Sequence, residues 1–255
     1  MYRIIVNADD LGISEDVNEA IAECFRIRFI TSTTLMVNMD YADEGVELAR
    51  KYGWHERVGL HLNLTSGSPL TEDIKKYRCF CGSDGRFNAA FAKKTFSRLH
   101  LSREEIAAAR KEADAQIRKY LEYGLPDRHI DSHHHVHTDS SIWKAIEPLI
   151  GAYGMRSVRI SRNLYGRMNA LKRLYKRSYN RRLRALPVMT ADYFGSFRDF
   201  TAYGDRIHDK ALVEIMIHPM HDADGVLVDT ERSMHTRIES EKEYLDGMRY
   251  IQEFY

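Results

Sequence analysis

Residues 129 to 137 read His-Ile-Asp-Ser-His-His-His-Val-His, gathering five of the chain's twelve histidines around one aspartate. As a strand of period two, this segment sets His129, Asp131, His133, His135 and His137 on one face. A hydrophobic core has no use for a row of imidazoles beside a carboxylate, because every buried polar group needs a partner. A divalent metal ion or acid–base chemistry accounts for the row; a solvated His-rich loop is the plain alternative.

Three other places carry reactive side chains. Asp9 and Asp10 are adjacent where the first apolar run ends. In extended backbone they point to opposite sides, so one can ligate a cation while the other faces a bound water. Two carboxylates in one site stay ionised together only beside a cation. Taken alone, the pair also suits the cap of the helix that follows. His61 lies in Gly59-Leu-His-Leu-Asn-Leu-Thr65, where leucines alternate with His61, Asn63 and Thr65. His218 follows the apolar run Ala-Leu-Val-Glu-Ile-Met-Ile at residues 211–217.

One aspartate and two histidines leave a metal with open positions for water and substrate, as a catalytic site requires. Such an ion polarises a carbonyl and lowers the pKa of its water. A nearby carboxylate then takes the proton and a histidine delivers one to the leaving group. This is metal-assisted hydrolysis of an amide or ester. The sequence has no Gly-x-Ser-x-Gly elbow, which argues against a serine hydrolase. The competing classes are a metallo-phosphoesterase, which would carry two or three metals, and a catalytically silent sugar-binding protein.

The elements that must position these residues alternate. Strand patterns at residues 3–8, 31–37, 57–64, 129–137, 155–160 and 211–217 are interleaved with helical ones at 15–28, 41–51, from 102 to about 123, and about 140–153. Ser102 and Glu105 form a capping box. Turns fill 71–88, and a helix and a final short element close the chain over 236–255. The polar clusters all fall where strands end, as in a barrel of βα units or a doubly wound sheet. No dinucleotide fingerprint or phosphate loop is found, which favours the barrel. The expectation is one domain over residues 1–255, with a basic helical insertion at about 162–186.

Composition excludes several classes. The 38 Lys and Arg balance 37 Asp and Glu, a net charge of +1, so no global field recruits nucleic acid or an acidic membrane. No segment approaches the ~18 apolar residues of a membrane span. Cys24, Cys79 and Cys81 are odd in number and lack zinc or redox spacing, as expected of reduced thiols in a cytoplasmic protein. The N-terminal residues read as a short strand, and no targeting segment is expected. One segment stands out: from Arg156 to Arg184 there are eleven Lys or Arg and no acid. Leu164, Met168, Leu171, Leu174, Tyr175 and Tyr179 recur within it at helical spacing. The expectation is a surface helix with its apolar stripe packed on the body; a homodimer contact is the second choice, ahead of a lid over an anionic or polar ligand or a nucleic-acid site.

Taken in order, Asn7-Ala-Asp-Asp-Leu-Gly12, Gly59-Leu-His-Leu-Asn-Leu-Thr65, the 129–137 segment and Ile217-His218-Pro219 resemble the YdjC-like family of carbohydrate deacetylases, which includes enzymes acting on chitin disaccharide. Met36-Val-Asn38 and Asp84-Gly85-Arg86-Phe87 extend the match over nearly the whole chain. The resemblance implies an α/β fold of TIM-barrel-like (β/α) type, related to the polysaccharide deacetylase barrels. It also implies one divalent ion, Mg2+ or Zn2+, and removal of acetate from an N-acetylated sugar or oligosaccharide such as N,N'-diacetylchitobiose. Position by position, it implies Asp10, His61 and His133 as metal ligands and Asp9 as general base. His218 is the candidate general acid, with His135 and His137 competing for that role or for substrate contact. The family often has a proline and then an acid after the arginine that follows residue 158; Arg159-Ile-Ser161-Arg162-Asn163 lacks both. That departure leaves Arg159 without an inherited role in orienting Asp9. His134 stands where glutamine is frequent.

Overall fold

Strand β1 (Tyr2–Leu11) is buried from Ile4 to Asp9, and β7 (Leu212–Ile217) is buried throughout. Strands hidden on both faces belong in the middle of a parallel sheet. There the two pair with each other, Arg3 opposite Leu212 through Ala8 opposite Ile217. The structure is a computed structural model that describes residues 1–93, 100–231 and 234–255.

On one side of β1 follow β2 (Ser32–Leu35), β3 (Val58–Leu62), β4 (His129–Ser132) and β5 (Ser157–Val158); on the far side of β7 lies β6 (Tyr193–Ser196). All are parallel, in the order β5-β4-β3-β2-β1-β7-β6. A short strand near the C-terminal end, β11 (Tyr250–Gln252), pairs with the first residues of β1, below the point where β2 begins. In a flat sheet β5 and β7 would stand about 24 Å apart, five strand spacings. Yet Arg159, just after β5, touches Glu214 in β7 at 2.5 Å. The sheet is therefore curled. Backbone contacts also lead from one end of it toward the other: Met189 exchanges amide bonds with Arg156 and Val158, and the amides of Asn163 and Leu164 donate to Phe194. The architecture is a curled parallel α/β sheet consistent with a TIM-like barrel, its end strands β5 and β6 not laddered to each other.

Helices fill the crossovers, among them Glu15–Arg26, Ala42–Lys51, Arg103–Glu122, Ser140–Ala152 and Ala170–Leu183. The Ser102–Glu105 box caps the third of these, as its sequence requires. Gln116 on that helix exchanges two hydrogen bonds with the Asn63 backbone, pinning the loop beyond β3. A small antiparallel sheet, β8 (Pro219–His221), β9 (Leu227–Glu231) and β10 (Met234–Arg237), follows β7. Neither it nor β6 was legible: these strands are short, and Gly195 and Pro219 dilute the pattern.

Two expectations need correction. The 129–137 segment is a strand only to Ser132. The apolar stripe of the basic helix does not pack along its length: Leu171 and Leu174 are 78% and 65% exposed. Only Tyr179, Asn180 and Leu183 of Ala170–Leu183 are buried, so the helix docks by its last turns.

Ser102→Ala removes the hydroxyl half of the capping box, the acceptor of the Glu105 amide, on the helix that pins the loop beyond β3. A loss of about 1 kcal/mol in urea unfolding is expected, with an unchanged m-value. No measurable loss would mean that the cap contributes nothing here.

Candidate active site

Two backbone devices aim the aspartates. Ala8 pairs with Thr33 but Leu11 with Leu35, so β1 carries an extra residue at Asp9 and Asp10. A bulge of this kind re-aims side chains and is common next to active sites. Asp10 also takes a left-handed conformation, φ +71°, which non-glycine residues seldom hold. Gly12 then has φ +92°, and a Cβ there would approach Ala42 Cα to 3.0 Å. As a result both carboxylates turn into one pocket, in place of the opposite sides expected of extended backbone.

The His row breaks in a comparable way. After Ser132 the chain enters a tight turn, His133–Thr138, with left-handed backbone at His134 (φ 54°) and His135 (φ 55°). Three of the five left-handed non-glycine residues among those described thus lie at this end of the sheet. The five row positions consequently do not share a face. His129 faces the sheet interior, stacked on Tyr255 at 3.6 Å with Nδ1 2.9 Å from Ser157 Oγ. Burial brings its pKa down to about 3, so it is neutral. His137 is buried with both ring nitrogens engaged, by Ser132 Oγ at 2.6 Å and the Arg159 carbonyl at 3.0 Å. Burial likewise brings it to about 4. His135 sets its ring edge-on to Phe194 at 5.5 Å, its Nδ1 without a hydrogen-bond partner among the described residues. His134 Nδ1 meets Thr65 Oγ1 at 2.9 Å.

His133 goes elsewhere. Its Nδ1 lies 2.7 Å from Asp10 Oδ1, and His61 Nε2 lies 3.0 Å from the same oxygen. One ligand atom from each of Asp10, His61 and His133 falls within 4.8 Å of the others. Asp10 and His133 are about one-eighth exposed and His61 is buried. Behind His61, Nδ1 meets Asp131 Oδ1 at 2.7 Å, and the Thr34 hydroxyl donates to Asp131 Oδ2. A carboxylate on the far ring nitrogen is the usual support of a metal-binding imidazole, since it fixes tautomer and orientation. Burial opposes a charge on His61, but Asp131, Asp10 and Asp9 outweigh it and raise its pKa to about 10. The pocket therefore favours a cation at this point. A divalent ion held by these three donors would supply that charge and take His61 as neutral imidazole.

Arg159 is the residue that the sequence left unassigned. It is fully buried, with Nη1 and Nη2 each 2.7 Å from one oxygen of Asp9. Nη1 also lies 2.6 Å from Asp131 Oδ2, Nε donates to Glu214, and the guanidinium lies 4.8 Å from the centre of the Phe194 ring. Burial alone would raise the Asp9 pKa, but the charge of Arg159, then His61, holds it well below the ordinary carboxylate range. Burial lifts Glu214 to about 7 against the pull of Arg159. Two fully buried acid–histidine groups, Asp9-His61-Asp131 and His129-Asp131-Glu214, also have metal-like spacing. Their carboxylates already share Arg159, which leaves the partly exposed trio as the place for an ion. Glu214 had a signal in the sequence, as the lone charge inside the apolar run 211–217; Arg159, with Arg156 and Arg162 three residues to either side, had none that set it apart from the basic segment.

His218 stands across from Asp9, Nε2 to Oδ2 4.0 Å, with its side chain 30% exposed. Its backbone amide donates to Asp229 at 2.7 Å. Farther back, burial, then the charges of Asp229 and Glu231, push the Glu241 carboxyl up to about 9.

Asp9, Asp10, His61, His133, Arg159 and His218 are all at or just beyond the carboxyl ends of parallel strands. The family model described as YdjC-like protein matches residues 3–250. The chain belongs to the YdjC-like family. A carbohydrate deacetylase of Brevibacillus brevis is 32% identical over 88% of this chain and 84% of its own. A chitooligosaccharide deacetylase of Proteus mirabilis is 30% identical over 84% and 74%. A carbohydrate deacetylase of Halalkalibacterium halodurans is 36% identical, but over 58% of this chain, and the chain spans only 58% of that relative's length. A crystal structure from Enterococcus faecalis V583, described as a candidate cellobiose-phosphate cleavage protein, shares the fold: TM-score 0.66, 23% identity, covering 88% of this chain and 83% of that one. The relatives themselves are named as carbohydrate and chitooligosaccharide deacetylases.

Two outcomes follow from these charges. Arg159→Met leaves buried carboxylates without their counter-charge, and a loss of about 3–5 kcal/mol in chemical denaturation is expected; a loss below about 1 kcal/mol would show those acids to be neutral or hydrated. For Glu241 the sign is the reverse of the usual carboxylate case. Its folded pKa of about 9 exceeds its ordinary 4.5, so its contribution is favourable at low pH and is lost as pH rises across that interval. Glu241→Gln should therefore match the parent near pH 5 and exceed it in melting temperature at pH 8. A variant less stable than the parent at pH 8 contradicts this.

Proposed function

We propose that the chain is a metal-dependent carbohydrate N-deacetylase, which hydrolyses the acetamide of an N-acetylated sugar or oligosaccharide such as N,N'-diacetylchitobiose. The observation that carries this is the convergence of Asp10, His61 and His133 on one partly exposed point, with Asp9 beside it. The names of the relatives support the substrate class.

Asp10 Oδ1, His61 Nε2 and His133 Nδ1 would hold one divalent ion. Two imidazoles suit zinc, while the carboxylate and open water positions admit magnesium. When bound, the ion polarises the acetyl carbonyl and acidifies the attacking water. Asp9, kept ionised and fixed through both oxygens by Arg159, accepts that water's proton. The same guanidinium weakens Asp9's hold on the proton and so eases its onward transfer. His218 would protonate the leaving amine, being a partly exposed imidazole across from Asp9. His137 has no free ring nitrogen for that role. A two-metal phosphoesterase would need a second ion, and the carboxylates near enough to bind one are engaged with Arg159. We place the enzyme as one domain in a reducing compartment. This is supported by a core cluster that runs from β1 to helix Ile238–Asp246 and by three free cysteines.

The test is acetate release from N-acetylglucosamine oligomers by metal-loaded protein. Asp9→Asn should lower kcat by about 10²- to 10⁴-fold with metal content unchanged. His133→Ala should lose the metal, and chelation should abolish activity reversibly. Full activity of Asp9→Asn with metal bound would rule out the assigned base.

A further inference from the structure

The basic segment is not absorbed by the deacetylase site. Six arginines from three elements, Arg167, Arg173, Arg177, Arg181, Arg184 and Arg206, line a cavity of about 690 Å³ between the 163–168 loop, helix Ala170–Leu183 and the 204–206 turn. Among the described residues no carboxylate lines it. Arg184 and Arg206 form fixed walls: the first donates to the carbonyls of Ala191 and Asp192, the second to that of Tyr165 while lying over the Tyr203 ring. Arg167, Arg173, Arg177 and Arg181 make no side-chain hydrogen bond or ion pair among the described residues. Three of them recur every four residues along one helix face, about 6 Å per step. Like charges at that spacing repel and weaken a helix. All 37 acids of the chain lie outside residues 156–184, so nothing local offsets the repulsion. Next to the cavity, Lys176 shows the same field: burial, then Lys172 and Arg162, lower its pKa to about 8.

We propose that this cavity is a binding site for a small ligand carrying two or more linked phosphates. Guanidinium groups grip phosphate oxygens through paired N–H bonds, and several on one concave surface favour a multivalent anion over a single phosphate. The linked phosphates could belong to inorganic polyphosphate or to a nucleotide. In the second case Tyr165 or Tyr193, both at the cavity wall, offers a ring for the base.

Calorimetric titration of the full chain with orthophosphate, tripolyphosphate and ATP tests this. Tripolyphosphate should bind at one site at least about tenfold more tightly than orthophosphate, and more weakly as salt rises. ATP binding above tripolyphosphate assigns the nucleotide; equal binding assigns polyphosphate. The combined variant Arg173→Gln, Arg177→Gln, Arg181→Gln should weaken binding by about tenfold or more. It should raise the ligand-free melting temperature and leave acetate release unchanged. Arg167→Gln, outside the helix, should weaken binding without touching helix stability. Absence of saturable binding, affinity unchanged in both variants, or tighter binding of single-stranded oligonucleotide or anionic vesicles than of tripolyphosphate would each overturn the assignment.

Discussion

Arg159 is a fully buried cation facing Asp9, Asp131 and Glu214, which belong to β1, β4 and β7. Taking a guanidinium and carboxylates out of water costs several kcal/mol per ion, recovered only when geometry is close to ideal. That condition holds only if the sheet curls until four strands meet within the reach of one side chain. The same contact therefore constrains the fold and the Asp9 carboxylate. Three acids against one arginine leave an excess of negative charge. Glu214 relieves part of it, because burial lifts its pKa to about 7.

Asp131 links this hub to the Asp10–His61–His133 trio. One of its oxygens meets Arg159 and the other meets His61 Nδ1, so a single buried carboxylate fixes both the counter-ion of Asp9 and the orientation of the His61 ring. Asn7 extends the web, donating to Asp9 at 2.9 Å while Ser32 donates to it. What the interior cannot neutralise is concentrated at the rim, where Asp10 bridges His61 and His133. The acid–histidine sets inside the sheet already have their cation. The one at its mouth has solvent access, which substrate and water need.

Much of this was legible in the chain. The polar clusters were identifiable because aspartates and histidines stood at the ends of apolar runs, but the choice of Asp10, His61 and His133 among them came from the resemblance to the YdjC-like family; the Ser102–Glu105 cap was readable because its spacing is a local code. The bulge at Asp9 and Asp10 was not: it depends on the register of β2, which no property of β1 alone determines. Period two also misassigned His135 and His137, since the strand ends at Ser132 and left-handed backbone then redirects each ring. Arg159 was hidden among the arginines of the basic segment, and its three partners lie 28, 55 and 150 residues away in sequence, so only the curled sheet unites them.

Two histidines close to Asp9 show how one acid–imidazole pairing yields two kinds of behaviour. Asp131 holds His61 by its ring nitrogen, which leaves that ring a single orientation with Nε2 toward Asp10. Asp229 holds His218 by its backbone amide, and among the described residues the His218 ring makes no hydrogen bond. A ligand must stay put, so a carboxylate on its ring is what it needs. A group that carries a proton between Asp9 and a departing amine has to move between two partners, and a fixed backbone with an untethered ring permits that. Exposure follows the same division, 1% for the His61 side chain and 30% for that of His218. The roles proposed for the two imidazoles thus agree with which atom each neighbouring aspartate grips.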